Sequence, residues 1–143
     1  MPFAFNKKLW ELGAKIEDEI KPHLNEFFKC DFKRHDDIFD VLDFHDTQNK
    51  KIVEVKGRTI PSTQFTDTII TCGKINEGLM KMECDSELEI YYFFVFTDKT
   101  MYFKLDADKA EWNMKRTGTN HIPHYMIPIK DLIEFAPDNN ISE

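Results

Sequence analysis

The sequence lacks the long apolar segments of membrane and secreted proteins. No apolar run approaches the roughly 18–20 residues of a membrane span. The N-terminal residues have neither a long apolar core nor a small-residue cleavage pattern, so we expect no signal peptide. Repeats, low-complexity tracts and glycine-serine linkers are absent from the 143 residues. The sequence therefore predicts a soluble cytoplasmic protein with one domain over residues 1–136 and a frayed polar tail over residues 137–143.

Cysteine and glycine are also scarce. Cys30, Cys72 and Cys84 are an odd number without C-x-x-C spacing, which predicts free thiols in a reducing compartment. The five glycines form neither a Walker loop nor a G-x-G-x-x-G loop. No serine has the G-x-S-x-G context of a hydrolase nucleophile. His121 and His124 lack further ligands at a spacing suitable for zinc, so these three types of site are not indicated.

Positive charge is in the minority, because 26 acidic residues against 19 basic ones give a formal net charge of −7. A protein that coats nucleic acid by electrostatics alone is usually basic, so this class is disfavoured. An enzyme acting on nucleic acid is not excluded, because carboxylates recruit divalent cations and basic patches can be local. A hydrophobic content of 41% predicts a globular, packed domain.

Hydrophobic periodicity and turn residues predict an alternation of helices and strands. The predicted elements are a helix over residues 6–28, a short strand within residues 30–37, a hairpin over 38–45 and 51–56, a long connection over 57–73, a helix over about 74–83, a strand over 87–96, its partner over 101–105, an irregular segment over 106–122, a short strand over 125–129 and a helical turn over 130–135. Pro22 can kink or split the first helix. This order predicts an α/β fold, with α+β as the alternative, in which helices pack on a sheet.

One strand is almost entirely aromatic or β-branched, since residues 88–96 read LEIYYFFVF. A run of this kind is typical of a strand that is buried on both faces. Its aromatic rings could also stack on bases, but we expect core packing. Part of the strand is also a candidate contact for a homodimer.

Residues 39–58 contain several carboxylates in two strand-like runs. Asp40 and Asp43 lie in the first run of the hairpin, and Glu54 and Lys56 lie in the second. Like charges held this close repel each other, which costs free energy unless a cation or a reaction needs them. The sequence therefore predicts a functional cluster at the open end of the hairpin.

The acid-x-Lys string of Glu54 and Lys56 carries little weight alone. Three such strings occur in the chain, about as many as composition predicts. The context is more informative, because strand alternation puts Glu54 and Lys56 on one face and Val53 and Val55 on the other. Gly57 follows directly and allows another backbone to approach closely.

In this arrangement the sequence resembles the PD-(D/E)xK superfamily of restriction-endonuclease-like nucleases, over roughly residues 9–105. The resemblance implies a restriction-endonuclease-like core with a central mixed β-sheet flanked by helices. It puts the aspartate of the motif on Asp40, with Asp43 as the alternative, and the acid-x-Lys on Glu54 and Lys56. No proline precedes Asp40, where many members of the family have one.

Many members of the superfamily also use a glutamate from the first helix. The segment from Gly13 to Glu17 resembles their G-x-x-x-E helix, which makes Glu17 the candidate and Glu11 the reserve. The alternative is that Glu17 lies on the solvated face of an amphipathic helix.

The resemblance implies hydrolysis of DNA phosphodiester bonds with Mg²⁺, for which Mn²⁺ can substitute. Mg²⁺ prefers hard oxygen ligands, and the candidates are Asp40 (or Asp43), Glu54, the carbonyl of Val55 and Glu17. Lys56 would orient the attacking water or stabilise charge that develops on the phosphate.

Basic or polar residues after the motif commonly contact nucleic acid in such enzymes. The candidates are Lys74, Arg58 and Gln64, and each could equally be an ordinary surface residue. Lys74 is close to a predicted helix N-terminus, which favours a phosphate. The expected partner is DNA, with branched and single-stranded forms included.

Two other interpretations are compatible with the sequence. The domain could be a catalytically silent, nuclease-like subunit used for binding nucleic acid or for assembly. The hairpin carboxylates could also face solvent in an unrelated α+β fold.

Overall fold

The computed structural model describes residues 7–34, 42–108, 112–117 and 121–136, with the side chains of residues 7–10 excepted. In these ranges the elements are, in chain order, α1 (Lys7–Phe28), β1 (Lys33–Arg34), β2 (Phe44–Asp46), β3 (Lys51–Gly57), β4 (Asp67–Thr71), α2 (Cys72–Cys84), β5 (Glu89–Val95), β6 (Thr100–Lys104), β7 (Met114–Thr117), β8 (Ile122–Pro128), a 3₁₀ helix (Ile129–Asp131) and β9 (Ile133–Phe135).

The described strands form two sheets. The larger is a six-stranded mixed sheet with the order β1-β2-β3-β5-β6-β9, and the smaller is a three-stranded sheet with the order β4-β8-β7. The pair β3 and β5 is parallel, so the chain must cross over between these strands, and it does so through β4 and α2. The expected α/β architecture is confirmed.

Helix α1 covers one face of the larger sheet. Ile20 and Leu24 on the helix pack into a buried cluster with Val53 and Val55 of β3 and Phe93 of β5. The apolar stripe predicted for α1 is therefore the stripe that it buries. The helix runs unbroken from Lys7 to Phe28 with its proline inside, so it is not split there.

The opposite face of the larger sheet forms a second core. Ile52 of β3 and Ile90, Tyr92 and Phe94 of β5 are buried there together with Ile75 of α2. Strand β5 thus buries alternate side chains in both cores, and the prediction of a strand covered on both faces is confirmed. Its aromatic residues are core residues.

The hairpin is closed by a buried aspartate. The carboxylate of Asp46 accepts hydrogen bonds from the backbone N–H of Asp31 at 2.8 Å and from both the backbone and the side chain of Asn49. These donors lower the pKa of Asp46 to about 2. The carboxylate therefore stays charged and ties the turn to the segment that leads into β1. Residues 38–41 of the predicted hairpin lie outside the described residues.

Three sequence-based expectations about local structure were wrong. The connection over residues 57–73 contains β4, and the irregular segment over residues 106–122 contains β7. Residues 130–135 complete a 3₁₀ helix and then form β9, rather than a helical turn alone. Each missed strand is short. β4 and β9 pair with strands far away in sequence, and β7 pairs with the next strand, β8, so periodicity over a few residues does not reveal them.

Three further expectations concerned the cysteines, membrane-spanning segments and the C-terminal tail. The cysteines are free thiols, as predicted. No helix in the described ranges is long and apolar enough to cross a membrane. The predicted tail over residues 137–143 lies outside the described residues.

Gly78 of α2 allows the helix to lie directly on the sheet. A Cβ atom at this position would be 2.4 Å from Tyr92 Oη and 2.8 Å from Leu105 Cδ2. We expect Gly78→Ala to lower the free energy of unfolding by about 1–3 kcal/mol, because helix and sheet must separate. Urea denaturation measures this change.

The matched control is Gly13→Ala in α1, where a Cβ atom meets nothing within 4 Å. We expect this change to raise the stability by up to about 1 kcal/mol, because alanine has the higher helix propensity. Equal effects of the two substitutions would contradict the close contact inferred at Gly78.

Candidate active site

The site lies where β3 extends past the start of β2. In the register of these strands Phe44 is paired with Val53, so one step further Asp43 comes opposite Glu54. Asp43 lies outside the ladder, and its Oδ2 accepts a hydrogen bond from the backbone N–H of Val55 at 2.8 Å. This contact satisfies a strand donor and brings a carboxylate to the edge of β3.

Glu54 is the buried centre of the site. Its side chain is only 1% exposed, and its Oε2 lies 3.2 Å from Lys74 Nζ and 3.7 Å from Lys56 Nζ. Its other oxygen, Oε1, is buried and has no hydrogen-bond partner among the described residues. A buried polar atom left in this state is costly in a folded protein and suggests that a ligand is missing.

The pKa of this glutamate is raised by burial and by a neighbouring carboxylate, and it is lowered by two ammonium groups. Burial raises the pKa of Glu54 most, and the charge of Asp43 raises it further. The net pKa, with all neighbouring charges included, is about 8. The ammonium groups of Lys74 and Lys56 lower the pKa but do not offset the burial. Glu54 is therefore a carboxyl group that needs additional positive charge to ionise fully.

Lys74 reaches Glu54 because α2 begins directly after β4. The carbonyl oxygen of Lys74 accepts a hydrogen bond from the hydroxyl of Tyr92 at 2.7 Å, and Tyr92 is paired with Glu54 across β3 and β5. Burial and the charge of Glu54 both raise the pKa of Tyr92, so its hydroxyl stays protonated as a donor. The first turn of α2 is thereby fixed over the carboxylate.

Glu17 reaches the same region from α1. Its Oε1 accepts a hydrogen bond from Arg34 Nη1 at 2.7 Å, and the other Arg34 nitrogen, Nη2, donates to Asp18. Burial and the charge of Asp43 raise the pKa of Glu17, while Arg34 and Lys56 lower it. Glu17 is therefore within electrostatic reach of Asp43 and Lys56, and its side chain is only 18% exposed.

The sequence that builds this geometry is similar to a known protein family. The profile of a protein family described as "Phage putative PDDEXK endonuclease" matches residues 12–122. The chain belongs to this family. The match covers most of the chain, including Glu17, Asp43, Glu54, Lys56 and Lys74. No curated protein and no solved structure matches the chain.

Family membership confirms the resemblance and the fold that were read from the sequence. The mixed central sheet with helices on its faces is a restriction-endonuclease-like fold. The family consists of nucleases, which act on nucleic acid and in general use divalent metal ions. Among the described residues, no group of three or more His, Cys, Asp or Glu side chains is close enough to hold a metal ion. Asp40 lies outside the described residues.

The residues predicted to contact nucleic acid have different environments. Arg58 is held by the fold: its guanidinium donates to Thr68 Oγ1 and to the carbonyl oxygen of Ile69, and it lies over the Phe94 ring. Gln64 is exposed in a turn. Lys74 lies against Glu54 rather than free in solvent.

Sequence reasoning missed two contacts of the site. It assigned Lys74 to nucleic acid and did not pair it with Glu54, and it did not single out Arg34 as the partner of Glu17. Each contact joins two different elements, so periodicity within one element does not reveal it. The only available signal was the position of Lys74 at the start of a predicted helix, which does not indicate the partner.

Because burial is unfavourable for a charged group, we expect the ionisable side chain of Glu54 to lower the stability of the folded protein. We expect Glu54→Gln to raise the free energy of unfolding at pH 7 in EDTA by about 1–3 kcal/mol. The amide keeps the shape of the side chain and removes the ionisable group. Chemical denaturation measures the change.

Glu89→Gln on the neighbouring strand is the matched control, with the opposite expected sign. Lys51, Tyr91 and Lys104 hold Glu89, and they lower its pKa to about 2. Its ionised form therefore stabilises the fold above its usual pKa, and this contribution is lost as the pH falls toward 2. A loss of stability in both variants would contradict the account of Glu54.

Proposed function

We propose that this chain hydrolyses phosphodiester bonds of DNA with a divalent metal ion, Mg²⁺ or in its place Mn²⁺. The observation that carries the proposal is the oxygen Oε1 of Glu54, which is buried and has no hydrogen-bond partner among the described residues. The Oε2 atom of the same carboxylate lies against two ammonium groups. One oxygen is thus held in place, and the other remains for a cation.

The chemistry of the donor set fits a hard cation. Mg²⁺ keeps several waters and is commonly bound by one or two carboxylates together with phosphate oxygens of the substrate. Glu54 and Asp43 would hold it, the Val55 carbonyl lies on the same strand as Glu54, and Glu17 would assist directly or through water. A bound cation would polarise the phosphate and lower the pKa of a coordinated water.

Lys56 has the freedom that the reaction requires. Its side chain is one-third exposed, and its ammonium lies 3.7 Å from Glu54 Oε2. Lys56 would orient the attacking water and stabilise negative charge as it develops on the phosphate. Lys74 acts on Glu54 itself and fixes the orientation of its carboxylate.

The choice between Asp40 and Asp43 as metal ligand now favours Asp43. Asp43 lies on the face of β3 that carries Glu54, and its charge raises the pKa of both Glu54 and Glu17. The proposal therefore assigns the aspartate role to Asp43 and keeps Asp40 as the alternative.

The activity itself is tested by incubating the protein with single-stranded, duplex and branched DNA in Mg²⁺, Mn²⁺ or EDTA. We expect cleavage that requires metal, and a loss of about a hundredfold or more in Glu54→Gln and Lys56→Ala, because each removes a group that acts on the phosphate or its cation. Glu89→Gln and Lys104→Ala on neighbouring strands are the controls and should cleave at the wild-type rate. Cleavage by Glu54→Gln at the wild-type rate would overturn the assignment.

A second readout does not depend on activity. Because the cation binds the folded state, Mn²⁺ should raise the melting temperature of the wild-type protein and leave that of Glu54→Gln unchanged. A binding or assembly subunit without catalysis would instead bind DNA and cleave it under no condition.

Asp43 accepts a hydrogen bond from Val55 and carries a negative charge, and two substitutions test these properties separately. Asp43→Asn keeps an oxygen that can accept the hydrogen bond of Val55 and removes the charge. We expect it to retain stability and to lose metal-dependent cleavage. Asp43→Ala should lose cleavage and also about 1 kcal/mol of stability, because the Val55 N–H loses its acceptor. Activity assays and urea denaturation are the measurements.

Asp40→Ala is the comparison that decides between the two aspartates. Full activity of Asp43→Asn together with an inactive Asp40→Ala would return the ligand role to Asp40.

A further inference from the structure

A cleft of about 430 Å³ lies beside the site, between the connection that follows β3 and the smaller sheet. Arg58 and Phe65 of the connection form one side, and Ile69 of β4, Lys115 of β7 and Met126 of β8 form the other. Its volume is within the range of small-molecule sites, about 300–1,000 Å³. The proposed reaction does not use any of these residues.

Phe65 is the most exposed large apolar residue in the described ranges, at 61%. The connection that carries it is nevertheless anchored. The carboxylate of Asp98 accepts hydrogen bonds from the backbone N–H of Ser62 at 2.8 Å and from its hydroxyl at 2.7 Å, and the N–H of Thr97 donates to the carbonyl oxygen of Ile60. The fold therefore supports an aromatic ring that faces solvent at the rim of a cleft.

The charge of this cleft differs from that of the protein as a whole. The chain carries a net charge of −7, yet the lining has two cations, Arg58 and Lys115, against one carboxylate, Asp67. Lys115 is exposed at this surface. A locally basic surface on an acidic protein suits a phosphate backbone.

Two elements connect the cleft to the site along the chain. On β3, Glu54 and Lys56 precede Arg58 at alternate positions, and at about 3.3 Å per residue the backbone of Arg58 lies roughly 13 Å from that of Glu54. On the other side, β4 lines the cleft and runs directly into the turn of α2 that carries Lys74. A chain bound at the site can therefore extend into the cleft.

We propose that this cleft binds an unpaired nucleotide of the DNA substrate next to the cleaved phosphate, with its base stacked on Phe65 and its phosphate close to Lys115. This inference rests on the proposed nuclease function and adds the substrate form, namely DNA with a single-stranded segment. A base inside a duplex has both faces covered by its neighbours, so only an unpaired one offers a face to Phe65. Arg58, held by Thr68 and Ile69, forms the wall of the cleft.

The test measures binding without cleavage. Fluorescence anisotropy in EDTA, in the Glu54→Gln background, compares a single strand of about 16 nucleotides with the blunt duplex of the same sequence. We expect Phe65→Ala and Lys115→Ala each to weaken single-strand binding about tenfold or more. Phe65→Trp should bind as the background does, because it keeps an aromatic face.

The controls match in chemistry and differ in position. Ile133→Ala removes an apolar side chain that is 56% exposed on β9, at the far edge of the larger sheet. Lys33→Ala removes an exposed lysine on β1, at the opposite edge. Neither should change binding to the single strand.

The outcomes separate this inference from the proposed function. Single-strand binding that is unchanged in Phe65→Ala, a loss that is equal for the duplex, or Phe65→Trp behaving like Phe65→Ala would each overturn the inference. Metal-dependent cleavage by the wild-type protein would still support the nuclease. Conversely, Phe65-dependent binding without cleavage under any metal condition would retain the cleft and reject the reaction.

Discussion

A carboxyl group buried in a protein core raises the free energy of the folded state unless positive charge accompanies it, and this domain is built around such a group. Glu54 is buried in the central strand of the larger sheet, beside Tyr92 on the parallel neighbour. Burial outweighs the two nearby ammonium groups, as the raised pKa of about 8 records. The fold thus maintains a carboxyl group that is short of positive charge, which is why the proposed function places a divalent cation there.

The surrounding elements are placed to hold that carboxyl group. The crossover from β3 to β5 carries α2, whose first turn brings Lys74 to one oxygen of Glu54, and Tyr92 fixes that turn through a hydrogen bond. On the other face, α1 brings Glu17 to the region with Arg34 as its partner. The two helices cover opposite faces of the sheet, and the site lies between them where β3 extends past the start of β2.

The smaller sheet, β4-β8-β7, lines one side of the cleft. Its strand β4 belongs to the crossover between β3 and β5, so the chain runs from the smaller sheet directly into α2 and Lys74. The connection before β4 is anchored through Ser62 and Asp98, and it holds Phe65 in solvent. The buried carboxyl group of Glu54 and the exposed ring of Phe65 are therefore carried by segments that are close together along the chain.

The sequence by itself determined the features that depend on local periodicity and spacing. These are the amphipathic helix α1, the strand β5 that is buried on both faces, and the alternation that puts Glu54 and Lys56 on one face. Together they were enough to indicate the family, because its motif is a spacing along two strands.

Only the tertiary structure decided which side chains meet. It brought Lys74 to Glu54, paired Glu17 with Arg34, and put Asp43 opposite Glu54 through the exact length of the turn, where one residue more or less would reverse the face. It also made strands of β4, β7 and β9, whose short segments are strands only because they pair with other strands. The physical reason is common to all of these: periodicity records which face a residue occupies, whereas packing between distant elements decides what that face contacts.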